Sequence, residues 1–259
     1  MFITNLSNYQ NIHKKIVSVV PSITELLHYF ELNDETIGIT KFCIHPHEWF
    51  TSKTKIGGTK NINTEKIIAL NPDLIICAKE ENTKEQVELL AEKFPVYICD
   101  VHTYDDAMQM IKEIGILTNK LEEAIQLTYE IENSFAESQS IIKEKTAAAY
   151  IIWKEPYMTV GNDTFIHDMM QKIGIENIFK HTTRYPIFTI EDLKALKPSL
   201  ILLSSEPYPF SENHIEEMKQ IFPRAKVLLA DGEMFSWYGS RMLKVPAYFK
   251  KLCEAINKN

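Results

Sequence analysis

The chain has few cysteines and no apolar run long enough to cross a bilayer. Its four cysteines, Cys43, Cys77, Cys99 and Cys253, lie far apart and form no CxxC pair. The sequence therefore predicts neither a disulfide framework nor a zinc site. No segment reaches the roughly 18 to 20 apolar residues of a membrane-spanning helix, and the apolar stretch 16–20 is too short for a signal-peptide core. We expect a protein that does not span a membrane, and the sequence shows no export signal.

An excess of basic residues is missing as well. The formal net charge is −7, which argues against a nucleic-acid partner because nonspecific binding of nucleic acid needs a basic face. The common catalytic signatures are also absent, namely GxGxxG, the Walker A loop, the GxSxG elbow and HExxH. We therefore predict that the protein is not an enzyme and has no intrinsic cofactor.

The most informative feature that is present is an internal repeat. Residues 65–80 recur 126 positions later as residues 191–206, and seven of the sixteen aligned positions are identical. The identical residues include the central prolines, Pro72 and Pro198, and the closing glutamates. Two copies of one unit predict two similar lobes, and two lobes that face each other would form a ligand cleft.

Each copy of the repeat predicts a short amphipathic helix, a break at proline and a buried strand. Proline cannot continue a helix, and it favours extended backbone at the preceding residue, here Asn71 and Lys197. The apolar runs that follow, 74–78 and 200–203, are typical of strands covered on both faces in a parallel sheet. We predict an α/β fold with two Rossmann-like lobes related by the repeat.

A third segment connects the two predicted lobes. Between residues 119 and 145, apolar residues such as Leu121, Ile125 and Ile131 recur at steps of three or four, and neither Gly nor Pro interrupts the pattern. This predicts one long, rigid α-helix of about 25 residues. The expected domains are 1–118 for the N-terminal lobe, 119–146 for the linking helix and 147–259 for the C-terminal lobe.

The first predicted strand, 16–20, is followed by a helix start. Ser22 with Glu25 three residues later forms the pattern of a capping box, so a helix is expected at the carboxyl end of that strand. Such a helix end is mildly electropositive and can receive an acceptor group of a ligand. An ordinary capped helix without a ligand explains the same pattern.

Ligands of open α/β sheets bind outside the carboxyl ends of the strands, so the loops that follow predicted strands are the candidate sites. In the second lobe these loops are rich in aromatic residues, which are Trp153, Tyr157, Tyr185, Tyr208, Phe210, Phe235, Trp237 and Tyr238. Loops punctuated by Pro and Gly have little core to enter, so we expect several of these rings to line a site for a broad, partly apolar ligand. Core packing is the competing explanation.

Some loop residues have metal-ligand or anion-binding chemistry. His45 and His47 flank a proline, and either could bind a metal or offer an imidazole to the iron or cobalt of a bound macrocycle. Surface histidines would give the same pattern. Four cations could meet carboxylates or phosphates of a ligand, or form ordinary salt bridges instead, namely Lys60, Lys79, Arg184 and Arg241.

Several motifs together resemble one known family. They are residues 16–25 (IVSVVPSITE), 57–61 (GGTKN), 68–75 (IALNPDLI), 176–179 (ENIF) and 237–241 (WYGSR). The chain resembles the helical-backbone, or class III, substrate-binding proteins of bacterial ABC importers for cobalamin, haem and iron-siderophores, and it is most similar to the cobalamin-binding member. The resemblance implies two lobes joined by one long helix, with a corrinoid or an iron chelate held in the cleft as ligand.

The resemblance also assigns roles to residues. Ligand contacts are expected from Ser22, Phe42, Cys43, His45, Lys60, Lys79, Glu80, Trp153, Tyr157, Arg184, Tyr185, Trp237 and Tyr238, with Arg241 added for its charge and His45 as the candidate metal ligand. Members of the family use one exposed acidic residue per lobe to engage the permease dimer, and the candidates here are Glu80 or Glu85 and Glu206 or Glu212. The implied partner is an ABC importer permease, and the implied state is a monomer in the periplasm or cell envelope.

Two departures from the family pattern keep alternatives open. Loops that carry aromatic residues in the cobalamin binder hold Lys60 and Lys79 here, which is compatible with a more acidic ligand or a different one. The missing export signal makes a cytoplasmic location the alternative. The competing functions are a chelatase or tetrapyrrole-modifying enzyme on the same fold, using His45, His47 and Glu80, and an intracellular carrier or sensor.

Overall fold

The computed structural model describes residues 1–6, 9, 11–137 and 146–258. It has the predicted two-lobed α/β fold, in which sheets of mostly parallel strands are flanked by helices. The chain divides into two compact units. Unit 1 comprises Met1–Val101, Asp105–Glu132 and Tyr238–Arg241, and unit 2 comprises His102–Tyr104, Asn133–Trp237 and Met242–Asn259.

Unit 1 is built on a parallel sheet of five strands. The strands are β1 (Ile16–Ser18), β2 (Thr36–Ile39), β3 (Thr54–Lys55), β4 (Leu74–Ala78) and β5 (Val96–Cys99). Their order in the sheet is β3-β2-β1-β4-β5, and all neighbouring pairs are parallel. The helices that follow in the chain are α1 (Pro21–Tyr29), α2 (His47–Ser52), α3 (Thr64–Leu70), α4 (Lys84–Ala91), α5 (Tyr104–Leu117) and α6 (Leu121–Glu137). Every residue of β1 and β4 is buried, as expected for strands covered on both faces.

Unit 2 contains the second sheet. Its strands are β6 (Thr146–Trp153), β7 (Met158–Thr159), β8 (Ile175–Asn177), β9 (Leu200–Ser204) and β10 (Lys226–Ala230). The order is β10-β9-β6-β7, with β8 also paired to β6, and only the β6–β7 pair is antiparallel among these strands. The helices are α7 (Phe165–Lys172), α8 (Ile190–Leu196), α9 (Glu212–Ile221), α10 (Gly232–Ser236) and α11 (Val245–Asn257), and a 3-10 turn covers Ser240–Leu243.

The internal repeat folds into the predicted helix-break-strand unit in both halves. Helix α3 leads into β4 and helix α8 leads into β9, and both strands are buried throughout. Strand β4 lies between β1 and β5, and β9 lies between β6 and β10. The sheets therefore correspond over four strands, β2-β1-β4-β5 and β8-β6-β9-β10. The repeat seen in the sequence is a repeat of sheet topology.

The residues before the two prolines do not have the predicted extended backbone. Asn71 has φ 48° and ψ 61°, and Lys197 has φ 48° and ψ 58°, so both are left-handed. Each residue is the C-cap of its helix, and its backbone N–H donates to a carbonyl of the last turn. The left-handed region closes the helix and still avoids the right-handed region that a following proline disfavours. The capping requirement therefore decides this conformation.

Helix α1 begins near the predicted place but without the predicted capping box. Its N-cap is Val20, Pro21 is the first helical residue, and no side chain caps the end. Ser22 is 3% exposed and its hydroxyl has no hydrogen-bond partner among the residues that the structure describes. Proline is favoured at the first helical position because it lacks the N–H that would go unpaired there. If Ser22 were the N-cap, the helix would begin at Ile23. It begins at Pro21 instead, so Ser22 lies within the first turn.

The predicted linking helix is observed in part. Helix α6 has 17 residues, Leu121–Glu137, and the remaining predicted residues 138–145 lie outside the described part of the chain. Each compact unit consists of three separate segments of the chain that contact one another. The predicted domains were continuous segments. Tyr238–Arg241 belongs to unit 1, and His102–Tyr104 belongs to unit 2. Two further expectations stay predictions, namely that the linking helix is rigid and that a ligand cleft exists.

The described helices were also compared with the requirements of a membrane span. None of them combines the length and the apolar composition that such a span needs.

Candidate functional site

The strand ends of unit 1 carry one group of candidate site residues. Strands β2, β1, β4 and β5 are adjacent and parallel, so their carboxyl ends meet at one edge of the sheet. Phe42 follows β2 and is 50% exposed, with the Lys41 ammonium 5.1 Å from its ring centroid. An exposed ring in this position can contact an apolar ligand surface, as the sequence predicts.

Two of the predicted cations lie at the same edge and already have partners. Lys60 Nζ donates to the Glu80 carbonyl oxygen at 2.7 Å, and Lys79 Nζ lies 2.6 Å from Asp100 Oδ2. Both lysines are exposed. An ammonium group has three donors, so each lysine can still donate to an anionic group of a ligand.

Two predicted ligand contacts of unit 1 are buried instead. Cys43 is 0% exposed, and its thiol lies 3.1 Å from the hydroxyls of Thr24 and Thr40. Burial raises the pKa of the Cys43 thiol, so it is a neutral group that anchors its loop. Tyr238 is 6% exposed, its hydroxyl lies 3.7 Å from Cys99 Sγ, and burial raises the pKa of Tyr238 well above its usual value. Both side chains therefore pack inside unit 1, Cys43 against Thr24 and Thr40 and Tyr238 against Cys99 at the end of β5.

Arg241 has an internal partner rather than a free charge. Its Nε lies 2.7 Å from Glu25 Oε2 and its Nη2 lies 3.0 Å from Glu25 Oε1. The two side chains are 6% and 13% exposed. This bidentate pair neutralises the guanidinium within unit 1, so the salt-bridge alternative describes Arg241 better than the expected role as a ligand anchor. It also explains why Glu25 does not take part in a capping box.

A pair of aromatic residues, one exposed and one half-buried, lies at the strand ends of unit 2. Strands β6 and β9 are neighbours, so the last residue of β6, Trp153, meets Tyr208 from the loop after β9. Their ring centroids are 5.6 Å apart with an interplanar angle of 73°. Trp153 is 39% exposed, whereas Tyr208 packs against the apolar core of the unit. The pair offers a supported aromatic edge to solvent.

Tyr157 is held next to this pair by both its ring and its hydroxyl. The ring stacks on Phe188 at 5.7 Å, and the hydroxyl donates to Glu217 Oε1 at 3.4 Å. Lys154 Nζ lies 2.6 Å from Glu217 Oε2, and this hydrogen bond raises the pKa of Lys154 and lowers that of Glu217. Burial raises the pKa of the Tyr157 hydroxyl. Tyr157 is therefore a half-buried, uncharged ring with a fixed orientation.

Arg184 and Tyr185 lie in a loop that packs closely on another turn. Gly161 N donates to Arg184 O at 2.7 Å, and Arg184 N donates to an Asp163 carboxylate oxygen at 2.5 Å. A Cβ atom at Gly161 would lie 2.5 Å from the Thr183 carbonyl carbon, so only glycine permits this approach. Arg184 is exposed, and its guanidinium carbon lies 5.9 Å from the Tyr185 ring centroid. The loop presents a cation beside an aromatic ring.

Four of the eight aromatic residues expected to line the site are buried. Phe210, Phe235, Trp237 and Tyr238 are 5%, 0%, 8% and 6% exposed. Phe235 lies on the short helix α10 and packs against Tyr150 at 4.9 Å, and Trp237 donates its indole N–H to Glu206 Oε1 at 2.8 Å. The expectation of a loop with little core to enter is wrong for these four residues: Phe210 joins the apolar core of unit 2, and Phe235 packs between Tyr150 and Phe249.

The acidic docking candidates differ in exposure. Glu206 is half-buried, accepts hydrogen bonds from Trp237 and Ser236, and has a raised pKa because it is desolvated. Glu80 is half-buried too. Glu85 and Glu212 are exposed, and each lies in the first turn of the helix that follows a repeat strand, α4 and α9. Each unit therefore has one exposed candidate, at the second residue of α4 in unit 1 and at the first residue of α9 in unit 2.

The two histidines predicted as metal ligands are separated by the start of a helix. His45 is half-buried and precedes Pro46, whereas His47 is the exposed first residue of α2, with its ring 6.3 Å from Phe50. Among the described residues, no three His, Cys, Asp or Glu side chains are grouped so that they could hold a metal ion. A single axial imidazole from His45 stays a prediction.

Lys154 and Glu217 were not predicted from the sequence. They are 63 positions apart and come from different elements, so no local spacing connects them. The sequence signal that could have indicated Lys154 is its position directly after the predicted strand that forms β6.

The chain is similar to known binding proteins over most of its length. The family model described as periplasmic binding protein matches residues 16–222. The uncharacterized ABC transporter substrate-binding lipoprotein YvrC of Bacillus subtilis (strain 168) is 28% identical over 200 residues, which cover 73% of this chain and 63% of that protein. A vitamin B12-binding protein of Pectobacterium carotovorum subsp. carotovorum (strain PC1) is 22% identical over 236 residues, which cover 89% of this chain and 84% of that protein.

A solved structure shares the fold. The periplasmic haem-binding protein RhuT from Roseiflexus sp. RS-1, in apo form, matches with a TM-score of 0.80 and 16% sequence identity over 94% of this chain and 97% of that chain. The family model covers most of the present chain, including both copies of the repeat. The protein therefore belongs to the periplasmic binding protein family, whose members bind substrates for transport and are not enzymes.

Proposed function

We propose that this protein captures a corrinoid or a similar metal chelate, such as haem or an iron-siderophore complex, and delivers it to an ABC importer at the cell envelope. Family membership supports a binding role, and the relatives support the ligand class. One relative is named for vitamin B12, one structural neighbour for haem, and another relative as an ABC transporter lipoprotein. Vitamin B12 and haem are both broad rings around a metal.

The observation that carries this proposal is the supported aromatic edge of unit 2. Trp153 is 39% exposed at the end of β6, Tyr157 is half-buried in the loop that follows β6, and Tyr185 is half-buried in the loop between β8 and α8. A partly exposed ring with a fixed orientation can stack on a broad ligand at little entropic cost. Phe42 offers a further exposed ring at the strand ends of unit 1.

A direct binding experiment tests the proposal. The purified protein is titrated with cyanocobalamin, dicyanocobinamide, haemin and a ferric hydroxamate siderophore, and absorbance spectra and recovered ligand are analysed. We expect stoichiometric binding of one of these compounds, which is released unchanged. Conversion of a ligand to product, or failure to bind any of the four, contradicts the proposal.

Substitution of the exposed rings locates the site. We expect Trp153→Ala and Tyr185→Ala each to weaken ligand binding by roughly 1–3 kcal/mol, the usual range for loss of a central aromatic contact. The matched control is Tyr129→Ala, which removes a 59% exposed ring on α6, away from the strand ends. Trp237→Ala is a poorer test because it also removes the hydrogen bond to Glu206. Unchanged affinity in both site variants contradicts the assignment.

Docking to the importer is proposed to use Glu85 and Glu212. Of the four acidic candidates these two are exposed, and their location in the first turns of α4 and α9 gives one carboxylate to each unit. One exposed carboxylate on each unit suits a permease built from two copies of one subunit.

A further inference from the structure

One buried amide joins three loops of unit 1. Asn82 lies between β4 and α4, is 7% exposed, and makes three side-chain hydrogen bonds. Its Oδ1 accepts from Ala78 N at 2.8 Å, and its Nδ2 donates to Val19 O at 3.3 Å and Thr59 O at 3.1 Å. The three partners belong to the end of β4, the end of β1 and the loop between β3 and α3. These are the segments that lead to Lys79, Ser22 and Lys60.

The same residue closes the turn after β4. The Asn82 backbone N–H donates to Ala78 O at 3.0 Å, while the Ala78 N–H donates to the Asn82 side chain. Two reciprocal hydrogen bonds therefore bracket the turn 79–81. Both polar atoms of the buried Asn82 amide have partners, and the partners come from three different segments. These hydrogen bonds fix the orientation of the amide. The three segments therefore cannot shift independently without losing a buried hydrogen bond.

The next residue extends this connection to Lys60. Thr83 Oγ1 donates to Lys60 O at 2.8 Å, and Lys60 Nζ donates to Glu80 O at 2.7 Å. Thr83 is the N-cap of α4, yet its side chain makes no capping hydrogen bond. The hydroxyl therefore serves the Lys60 loop rather than the helix, and Lys60 is held at both its main chain and its ammonium group.

We propose that Asn82 and Thr83 are positioning residues that fix the Lys60 ammonium and the 79–81 turn, and that they thereby set the preference of the protein for ligands that carry anionic groups. This inference rests on the proposed binding function. A lysine on a freely moving loop gives weak selectivity because its charge is screened and its ordering costs entropy. A lysine whose loop is held by buried hydrogen bonds presents its charge at a defined point of the ligand.

Three variants test the proposal. Asn82→Asp keeps the acceptor for Ala78 N but loses both donors and places a carboxylate oxygen against two carbonyls. Thr83→Val removes only the hydroxyl that meets Lys60. The matched control is Thr118→Val, which removes a threonine hydroxyl that donates to a main-chain carbonyl, Ile114 O at 2.7 Å, outside residues 57–62 and 79–81.

The readout is the ratio of affinities for two ligands that differ only in carboxylates. The probe pair is haemin and its dimethyl ester or, for a corrinoid binder, dicyanocobyric acid and its methyl ester. We expect the preference for the carboxylate form to fall about fivefold in Thr83→Val and about tenfold in Asn82→Asp, with no change in Thr118→Val. In a Lys60→Met background, Thr83→Val should have no additional effect on the ratio.

A second measurement does not depend on any ligand. Amide hydrogen exchange of residues 57–62 should accelerate in Asn82→Asp and Thr83→Val while exchange in strands β9 and β10 is unchanged. The proposal is overturned if the wild type binds the probes and the variants show the same affinity ratio as the wild type. It is also overturned if exchange at residues 57–62 is the same in the variants as in the wild type. A wild type that binds none of the probes contradicts the proposed function instead, and the exchange measurement still decides whether Asn82 and Thr83 hold the loop.

Discussion

At the residue scale, the Glu25–Arg241 pair shows how burial changes the role of a charged side chain. Both carboxylate oxygens meet the guanidinium, and both side chains are largely shielded from water. Loss of one partner leaves an uncompensated buried charge, which costs far more than the net contribution of the pair. The pair therefore makes the Tyr238–Arg241 segment sensitive to single substitutions within unit 1.

We expect Arg241→Met to lower the free energy of unfolding by roughly 3–5 kcal/mol, because Glu25 would be left charged and shielded. Urea denaturation followed by circular dichroism measures the change. The control is Lys84→Met, which breaks an exposed pair with Glu88 at 3.7 Å and should cost about 0.5 kcal/mol or less. Equal effects of the two substitutions would show that the Glu25–Arg241 pair is not buried in solution.

His167 supplies a pH dependence of stability. It is 7% exposed, its Nδ1 lies 3.2 Å from Asn177 Nδ2, and burial lowers the pKa of the imidazole although Asp168 and Asp163 oppose the shift. The unfolded chain then binds a proton that the folded chain does not, between the folded pKa and the unfolded value of about 6.5. Stability is therefore lost as the pH falls below about 6.5.

The expected outcome is a steeper loss of stability in the wild type than in His167→Gln between pH 7.5 and pH 5. Glutamine does not titrate, so subtracting its pH profile removes the contributions of other groups. Urea midpoints at several pH values give the comparison. Parallel profiles for the two proteins would mean that His167 has the same pKa in the folded and unfolded chains.

At the element scale, the two copies of the repeat end their helices in the same way with different residues. Asn71 and Lys197 both have φ 48°. A side chain other than Gly costs about 1–2 kcal/mol in the left-handed region, and Asn tolerates this region better than Lys does. The second copy therefore carries more backbone strain than the first.

We predict that Lys197→Gly stabilises the protein by about 0.5–1 kcal/mol, because relief of this strain exceeds the added entropy of glycine in the unfolded chain. Asn71→Gly is the matched control from the first copy, and its gain should be smaller. Chemical denaturation of both variants measures the difference. A loss of stability in Lys197→Gly would indicate that the lysine side chain contributes contacts that outweigh the strain.

At the scale of the whole molecule, we propose that each unit offers one exposed carboxylate for docking, Glu85 in unit 1 and Glu212 in unit 2. We expect Glu85→Lys and Glu212→Lys each to weaken binding to the importer by several kcal/mol, because a like charge would face the permease. Uptake of the bound ligand into vesicles that contain the importer measures this, with ligand affinity measured separately. Glu65→Lys and Glu191→Lys, which make the same charge change at exposed first-turn positions of α3 and α8, are the controls. Equal losses in the control variants would place docking elsewhere.

Much of the fold can be predicted from the sequence because buried strands and broken helices leave local patterns. The apolar runs 74–78 and 200–203 identify β4 and β9, and the prolines before them mark the ends of α3 and α8. Matching copies of this pattern were enough to predict two related sheets. The family relationship confirms this architecture.

The candidate site is less predictable because the exposure of a loop side chain depends on distant residues. Phe235 and Trp153 are both aromatic residues at strand ends, yet Phe235 is covered by Tyr150 and Phe249 whereas Trp153 is 39% exposed. Arg241 resembles a ligand anchor until Glu25, 216 positions earlier, is found beside it. Asn82 has only the character of a turn residue in the sequence.

The sequence by itself determined the repeat, the buried strands β4 and β9 and the places where α3 and α8 stop, because these depend on residues that are close together in the chain. Tertiary structure alone decided which rings are exposed, which charges are paired and which amide joins three loops. Those properties depend on atoms brought together from distant segments, and a buried polar group is stable only where such partners exist.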